Sequence, residues 1–268
     1  MLPQTQSPFS LEGSTALVTG STQGVGASIA DSIAKAGANV IVHGLKRDSS
    51  AEEVIKRCML ANVRVGFWEA DLTASPDKYM KSALEAAEGF GETIDCLVCN
   101  AGTFIDTPFL QMDLDRFKKT FDLNVTSTFF MVQAFARRWI EAGVKGRIVI
   151  TGSINGFLAE PDHVAYDSSK GAVASMVQSL CVSLAPHGIR VNSMAPGLVV
   201  TPLTQVVETN SKINQWMKLH TPNGQVPGPE VCGDTVVYLL SEAARHVHGQ
   251  TILVDGGMSA WQQPAPPV

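Results

Sequence analysis

Short runs of consecutive apolar residues alternate along this chain with longer stretches whose apolar positions recur at helical spacing. TALVT at 15–19 and RIVIT at 147–151 lack the period-two alternation of a half-exposed strand. Strands of that kind are covered on both faces, as in a parallel sheet between two layers of helices. The pattern predicts strands at 16–19, 39–43, 63–70, 94–100, 146–151, 190–195 and 251–254. Between them it predicts helices near 24–36, 50–61, 76–88, 113–142 and 165–185, with more helix around 202–219 and 229–242. Strand–helix alternation gives a doubly wound α/β fold. No repeat or linker interrupts it, so one domain is expected over 12–260, with irregular tails at 1–11 and in the proline-rich 261–268.

Composition narrows the function classes. The 268 residues are 45% hydrophobic and 17% charged, a globular balance, and the formal charge is −5. That sign gives no reason to expect nucleic acid or an anionic membrane surface as partner. No apolar run reaches the ~18 residues that cross a bilayer. The opening MLPQTQSPFS has neither the basic start nor the apolar core of a signal peptide, so the cytoplasm is the expected compartment. Five cysteines at irregular spacing imply no disulfide framework. Cys96 and Cys99 have the spacing of a metal or redox pair, but they lie in the strand-like IDCLVCN. Positions three apart on a strand point to opposite faces, so buried, divergent thiols are expected and no metal site.

Candidate chemistry sits at two places. The first is the junction of the first strand and first helix, where Gly20, Ser21, Gln23, Gly24, Val25 and Gly26 form a G-x-x-x-G-x-G turn. Glycines let backbone turn sharply and approach a pyrophosphate, while a helix N-terminus offers unpaired N–H groups to anionic oxygen. An acid about 20 residues further on would hold a ribose 2′-hydroxyl and repel a 2′-phosphate. That slot is Gly44, followed after Leu45 by Lys46 and Arg47, so NADP(H) is favoured over NAD(H). The same two cations also read as solvated loop charges, and Gln23 is uncharged where a basic residue would help hold the phosphate.

The second place is Tyr166-Asp167-Ser168-Ser169-Lys170, at the start of a helix, where a spacing of four sets Tyr166 and Lys170 on one face. A free phenol titrates near ~10, and bringing it near neutrality takes ~4 kcal/mol of preferential stabilisation of the phenolate. A close ammonium and an oxidised nicotinamide would act in that direction. Ser153 ends the strand RIVITGS thirteen residues upstream, Asn124 lies in FDLNVTST, and Asn100, Ala101 and Gly102 follow the fourth strand.

Together these segments resemble the short-chain dehydrogenase/reductase family of the 250-residue type, from about Leu11 to Ser259. The motifs are TGSTQGVG, Asp71-Leu72, Asn100-Ala101-Gly102, Asn124, Ser153, YDSSK, Pro196-Gly197 and VDGG at 254–257. The resemblance implies a single-domain Rossmann fold whose seven parallel strands run in the order 3-2-1-4-5-6-7. It implies that Ser153 polarises a carbonyl, that Tyr166 passes the proton, and that Lys170 lowers the phenol and grips the nicotinamide ribose. Asn124 would hold a water that relays protons from Lys170. Asp71 and Leu72 would meet adenine, and Asn100, Ala101 and Gly102 the ribose and ring. Pro196, Gly197 and Val199 would pack on the nicotinamide, with Thr201 near its amide. Gln225 stands where relatives often carry Arg.

The loop after Ser153, INGFLAEPDHVA, mixes Phe157 and Leu158 with Asn155, Glu160, Asp162 and His163. These polar groups suit a sugar, polyol or sugar acid, and they also read as an ordinary solvated loop. By the same resemblance, 202–220 with Trp216, Met217 and His220 forms a lid. A 3-oxoacyl-[acyl-carrier-protein] reductase is the rival activity, weakened by Val144 and His187 where such enzymes tend to carry Arg, although Lys145 adjoins. A non-catalytic nucleotide-binding relative is the rival of another class. The 165–185 helix is apolar or small almost all round and so expects burial on several faces. Family members pair it, with the 113–142 run, across a subunit interface, which implies a homotetramer.

Overall fold

The structure, a computed structural model, describes residues 7–202, 204 and 210–261. The expected tail positions 1–6 and 262–268, and residues 203 and 205–209 of the expected lid helix, lie outside the described residues. In chain order the elements are β1 (Thr15–Val18), α1 (Gly24–Lys35), β2 (Asn39–Gly44), α2 (Ser49–Met59), β3 (Val65–Glu69) and α3 (Pro76–Phe90). They continue with β4 (Cys96–Cys99), α4 (Leu114–Phe121), α5 (Ser127–Ala142), β5 (Arg147–Thr151) and α6 (Val164–Leu184). The chain closes with β6 (Arg190–Pro196), α7 (Ser211–His220), α8 (Glu230–Leu240) and β7 (Thr251–Val254). The strands form one parallel sheet in the order β3-β2-β1-β4-β5-β6-β7, the expected Rossmann arrangement.

Alternation along each strand splits the core in two. Ala16, Val18, Val40, Val42, Cys96, Val98 and Val149 meet Ile29 and Ile33 of α1, Val54 of α2 and Val236 of α8 on one face. Leu17, Ile41, Leu97, Cys99, Ile148 and Ile150 meet Tyr79 of α3, Phe135 and Trp139 of α5 and Val173 of α6 on the other. Cys96 and Cys99 therefore fall in different layers, as expected, and burial pushes the Cys99 thiol up to about 12. No helix among the described residues is long and apolar enough to cross a membrane.

Three features depart from the sequence reading. The 113–142 run is two α-helices joined by a π-helical turn over Asp122–Thr126. The tail expected over 1–11 is packed where it is described: Leu11 is buried, its N–H donates to Ala36 O, and Phe9 meets the Tyr238 ring. Within the single chain α6 buries one face only, and Val182 on its outer side is 77% exposed.

Candidate active site

β1, β4, β5 and β6 all end at one edge of the sheet, and the order reverses between β1 and β4. A crevice must open there, because the connections leave toward opposite faces. The structure has a cleft of ≈ 970 Å³ at this point.

One end of the cleft is main chain. Gly20 has φ +60°, and a Cβ on it would lie 2.8 Å from Ala101 Cα; a Cβ on Gly26 would lie 2.2 Å from Gly20 O. These two turns of chain touch through backbone, which only glycine permits. Asn100 clamps them, its Nδ2 donating to Thr19 O and Gly20 O at 3.1 Å each. Its Oδ1 accepts from Thr151 Oγ1 at 3.1 Å, tying the ends of β1, β4 and β5 together. Gln23, at the N-cap of α1, makes no side-chain cap bond, so the N–H groups of the first turn face the cleft without a side-chain acceptor. Unpaired N–H groups at a helix start beside a glycine turn fit a dinucleotide pyrophosphate.

Ser21 does not line this cleft. It is fully buried, donating to Val18 O at 2.7 Å and accepting the His43 N–H at 3.0 Å, so its expected place on the cofactor is replaced by a brace between β1 and β2. His43, not among the residues expected at the site, supports the turn directly. Its Nδ1 accepts the Gly20 N–H at 2.8 Å while Nε2 faces Ala70 O at 3.2 Å. Burial lowers its pKa to about 4, which keeps the ring neutral and able to accept. At Gly44, the expected acid slot, a Cβ would lie 2.5 Å from Thr22 Cγ2, so a side chain there would require Thr22 to turn aside. Lys46 lines the cleft; Arg47 is drawn to Glu52, with Nε 2.6 Å from Oε1. Asp71 and Leu72 line the same end, and Thr73 holds Asp71 Oδ1 through its N–H and hydroxyl.

At the other end the walls are side chains. Ser153 caps a short 3-10 turn at Ile154–Gly156, and Lys170 in the second turn of α6 is buried. Lys170 Nζ donates to Thr151 O at 3.0 Å and lies 5.7 Å from the Tyr166 ring centroid. Burial lowers Lys170 to about 8. Burial also raises Tyr166, and the Ser153 hydroxyl bonded to it acts against that shift. In the protein alone desolvation dominates this phenol, and the opposing group is Ser153.

Asn124 is buried in the π turn, behind Gly102 and off the cleft wall. Both amide hydrogens are used, donating to Thr103 O and Ser169 Oγ at 3.0 Å each, and Oδ1 accepts from Thr103 N at 2.8 Å. It clamps the chain after β4 to α6. Pro196, Gly197, Val199 and Thr201 line the cleft beyond β6, and a Cβ on Gly197 would lie 2.8 Å from Asp255 Cα.

Phe104 and Asp106, which the sequence reading passed over, complete the mouth. The Phe104 ring stands edge-on to Tyr166 at 5.2 Å and to His163 at 4.6 Å. His163 lies between Glu160, at 3.5 Å, and Asp106, at 4.0 Å. Trp216 and Met217 of α7 form the facing wall, and Trp216 packs on His220.

The chain is similar in sequence to a family model and to known enzymes, and in structure to a solved one. A protein-family model described as Enoyl-(Acyl carrier protein) reductase matches residues 20–259. The L-rhamnose 1-dehydrogenase (NAD(P)(+)) of Sphingomonas sp. (strain SKA58) is 34% identical over 248 residues, 92% of this chain and 97% of that one. The 3-oxoacyl-[acyl-carrier-protein] reductase of Aquifex aeolicus is 34% identical over 251 residues, 92% of this chain and 98% of its own. A crystal structure of a gluconate 5-dehydrogenase from Burkholderia cenocepacia J2315, in complex with NADP and tartrate, matches with a TM-score of 0.88 at 29% identity. That match covers 95% of this chain and 98% of the other.

Proposed function

Because this chain belongs to the short-chain dehydrogenase/reductase family, we propose that it interconverts a ketone or lactone-type carbonyl and the matching alcohol on a small neutral sugar or polyol, with NADP(H) preferred to NAD(H). It is an oxidoreductase acting on CH–OH groups with NAD(P). The observation supporting the assignment of roles is convergence: Ser153, Tyr166 and Lys170 share one cleft with the glycine turn of β1–α1. In reduction, Ser153 would donate to the carbonyl oxygen and Tyr166 would hand its proton to the same oxygen as charge develops. Lys170 would hold the ribose edge and, as an ammonium, favour the phenolate that remains. Gly20, Gly24, Val25 and Gly26 would cradle the pyrophosphate, with Asn100, Ala101 and Gly102 behind the ribose. Bound there, the nicotinamide supplies or takes up the hydride. Lys46 supports the NADP preference, as a cation on the cleft wall with no acid in the Gly44 slot.

Charge at the mouth favours a neutral substrate. Asp106 and Glu160 both line it. Besides Lys170, the described lining cations are Lys46 and Lys119, and Lys119 acts on Asp71 at the far end. A sugar acid or an acidic carrier protein would meet carboxylates and no free cation, whereas hydroxyl groups would find acceptors. A panel of neutral sugars and polyols, sugar acids and an acyl-carrier substrate, run with both cofactors and followed by nicotinamide absorbance, tests this. Neutral substrates should lead in kcat/KM by about tenfold or more. Better turnover of the acyl-carrier substrate would instead favour the reductase reading.

We also propose a cytoplasmic homotetramer. The exposed outer face of α6 supports pairing of copies, and light scattering reads the number of chains. The described cysteines are all free, which suits a reducing compartment.

A further inference from the structure

Asn155 stands two residues past Ser153 and is buried, and its polar atoms have partners on both sides. Its N–H donates to Ser153 Oγ at 3.1 Å, and the Ser153 hydroxyl in turn reaches Asn155 Oδ1 at 3.4 Å. Its Nδ2 donates to Asp167 Oδ1 at 2.8 Å and to Glu160 Oε1 at 3.3 Å. Two carboxylates can only accept, so they decide which end of the amide is nitrogen and leave Oδ1 turned to Ser153. Asp167 Oδ2 also accepts the Glu160 N–H at 3.0 Å, fastening the loop after Ser153 to the first turn of α6. The loop lies hard against that helix, since a Cβ on Gly156 would come within 3.0 Å of Lys170 O.

We propose that Asn155 and Asp167 are positioning residues for the reaction: Asp167 holds the Asn155 amide, and Asn155 sets the direction of the Ser153 hydroxyl. The proposal rests on Ser153 and Tyr166 being the reacting pair. One lone pair of Ser153 Oγ is taken by the Asn155 N–H. Its proton reaches the amide oxygen only at 3.4 Å, the long, weak end of the range, and the same hydroxyl bonds the Tyr166 phenol. A carbonyl oxygen entering the site therefore has little to displace, and meets a hydroxyl already confined to one of its three staggered positions. Asp167 is adjacent to Tyr166 in the chain, so the group that carries the proton and the group that orients the carbonyl are set by one helical turn.

A double-mutant cycle tests this. Asn155→Ala should lower kcat about 30-fold with the cofactor KM within about twofold, while in a Ser153→Ala background it should change kcat by less than about twofold. Asp167→Ala should match the loss in Asn155→Ala, and Asp167→Asn, which keeps an acceptor oxygen, should recover most of the rate. A second readout needs no turnover: ultraviolet titration of the Tyr166 phenol, taken against Tyr166→Phe. Its midpoint should rise in Asn155→Ala when Ser153 is present and stay put when it is absent. Additive losses in the cycle, or equal titration shifts in both backgrounds, would assign Asn155 to loop folding and overturn the proposal. A protein that reduces no carbonyl but shows the Ser153-dependent titration shift would count against the enzyme reading and leave the positioning intact.

Discussion

At the β1–α1 turn the cleft wall is backbone packed on backbone, held by Asn100 and the neutral ring of His43. At the reacting end it is side chains packed on side chains, with Phe104, His163, Asn155 and Asp167 around Ser153 and Tyr166. A backbone wall can recognise only what every dinucleotide shares, a pyrophosphate and two sugars, and it leaves almost no room for substitution. A side-chain wall can be rebuilt one residue at a time, which is how one fold carries many substrates. The difference predicts where the molecule is brittle and where it is tunable.

The largest effect is expected at the brittle end. Gly26→Ala places a methyl 2.4 Å from Asn100 Nδ2 and closer still to Gly20 O. Gly20 main chain on one side and the Asn100 amide, clamped to Thr19 O and Gly20 O, on the other leave little to yield. Cofactor affinity should fall about 100-fold, or about 3 kcal/mol, by fluorescence titration. Retention of affinity within about threefold would show that the close packing here is not what shapes the phosphate turn.

A smaller change is expected from Lys46→Asp. Lys46 is exposed and acts through screened charge, whereas Arg47 is drawn to Glu52. The NADP-to-NAD ratio of kcat/KM should fall about tenfold, and less at high salt. An unchanged ratio would move cofactor choice to another contact, with Thr22 against Gly44 as the next place to look.

The fold was legible because each strand is short, apolar and bounded by turn residues, so layer and connection follow from burial alone. The brittle end was legible for a related reason: glycine spacing reports backbone approach, whatever the neighbours. Side-chain direction was less so. Ser21 sits inside the glycine motif yet points into the sheet, and nothing in its local sequence separates the two outcomes. The π turn around Asn124 was hidden because a one-residue slip in hydrogen bonding leaves helical periodicity nearly unchanged over 113–142. Asn155 and His163 were visible only as polar residues in a loop, since their meaning comes from Asp167, Glu160 and Phe104, brought to them by tertiary packing. The burial of Leu11 leaves no trace in the sequence, because a single apolar residue carries no period.

Tyr166 is the group proposed to move the proton. In the protein alone that phenol is raised by burial, and Lys170, lowered to about 8, donates to Thr151 O. The most direct measurement is Tyr166→Phe, assayed with a turned-over substrate and titrated with NADPH in the same preparation. Turnover should fall about 10³-fold or more while NADPH affinity stays within about threefold, because the hydroxyl serves the carbonyl and the ring remains to fill the wall. Turnover within about tenfold of the unaltered protein would contradict the account.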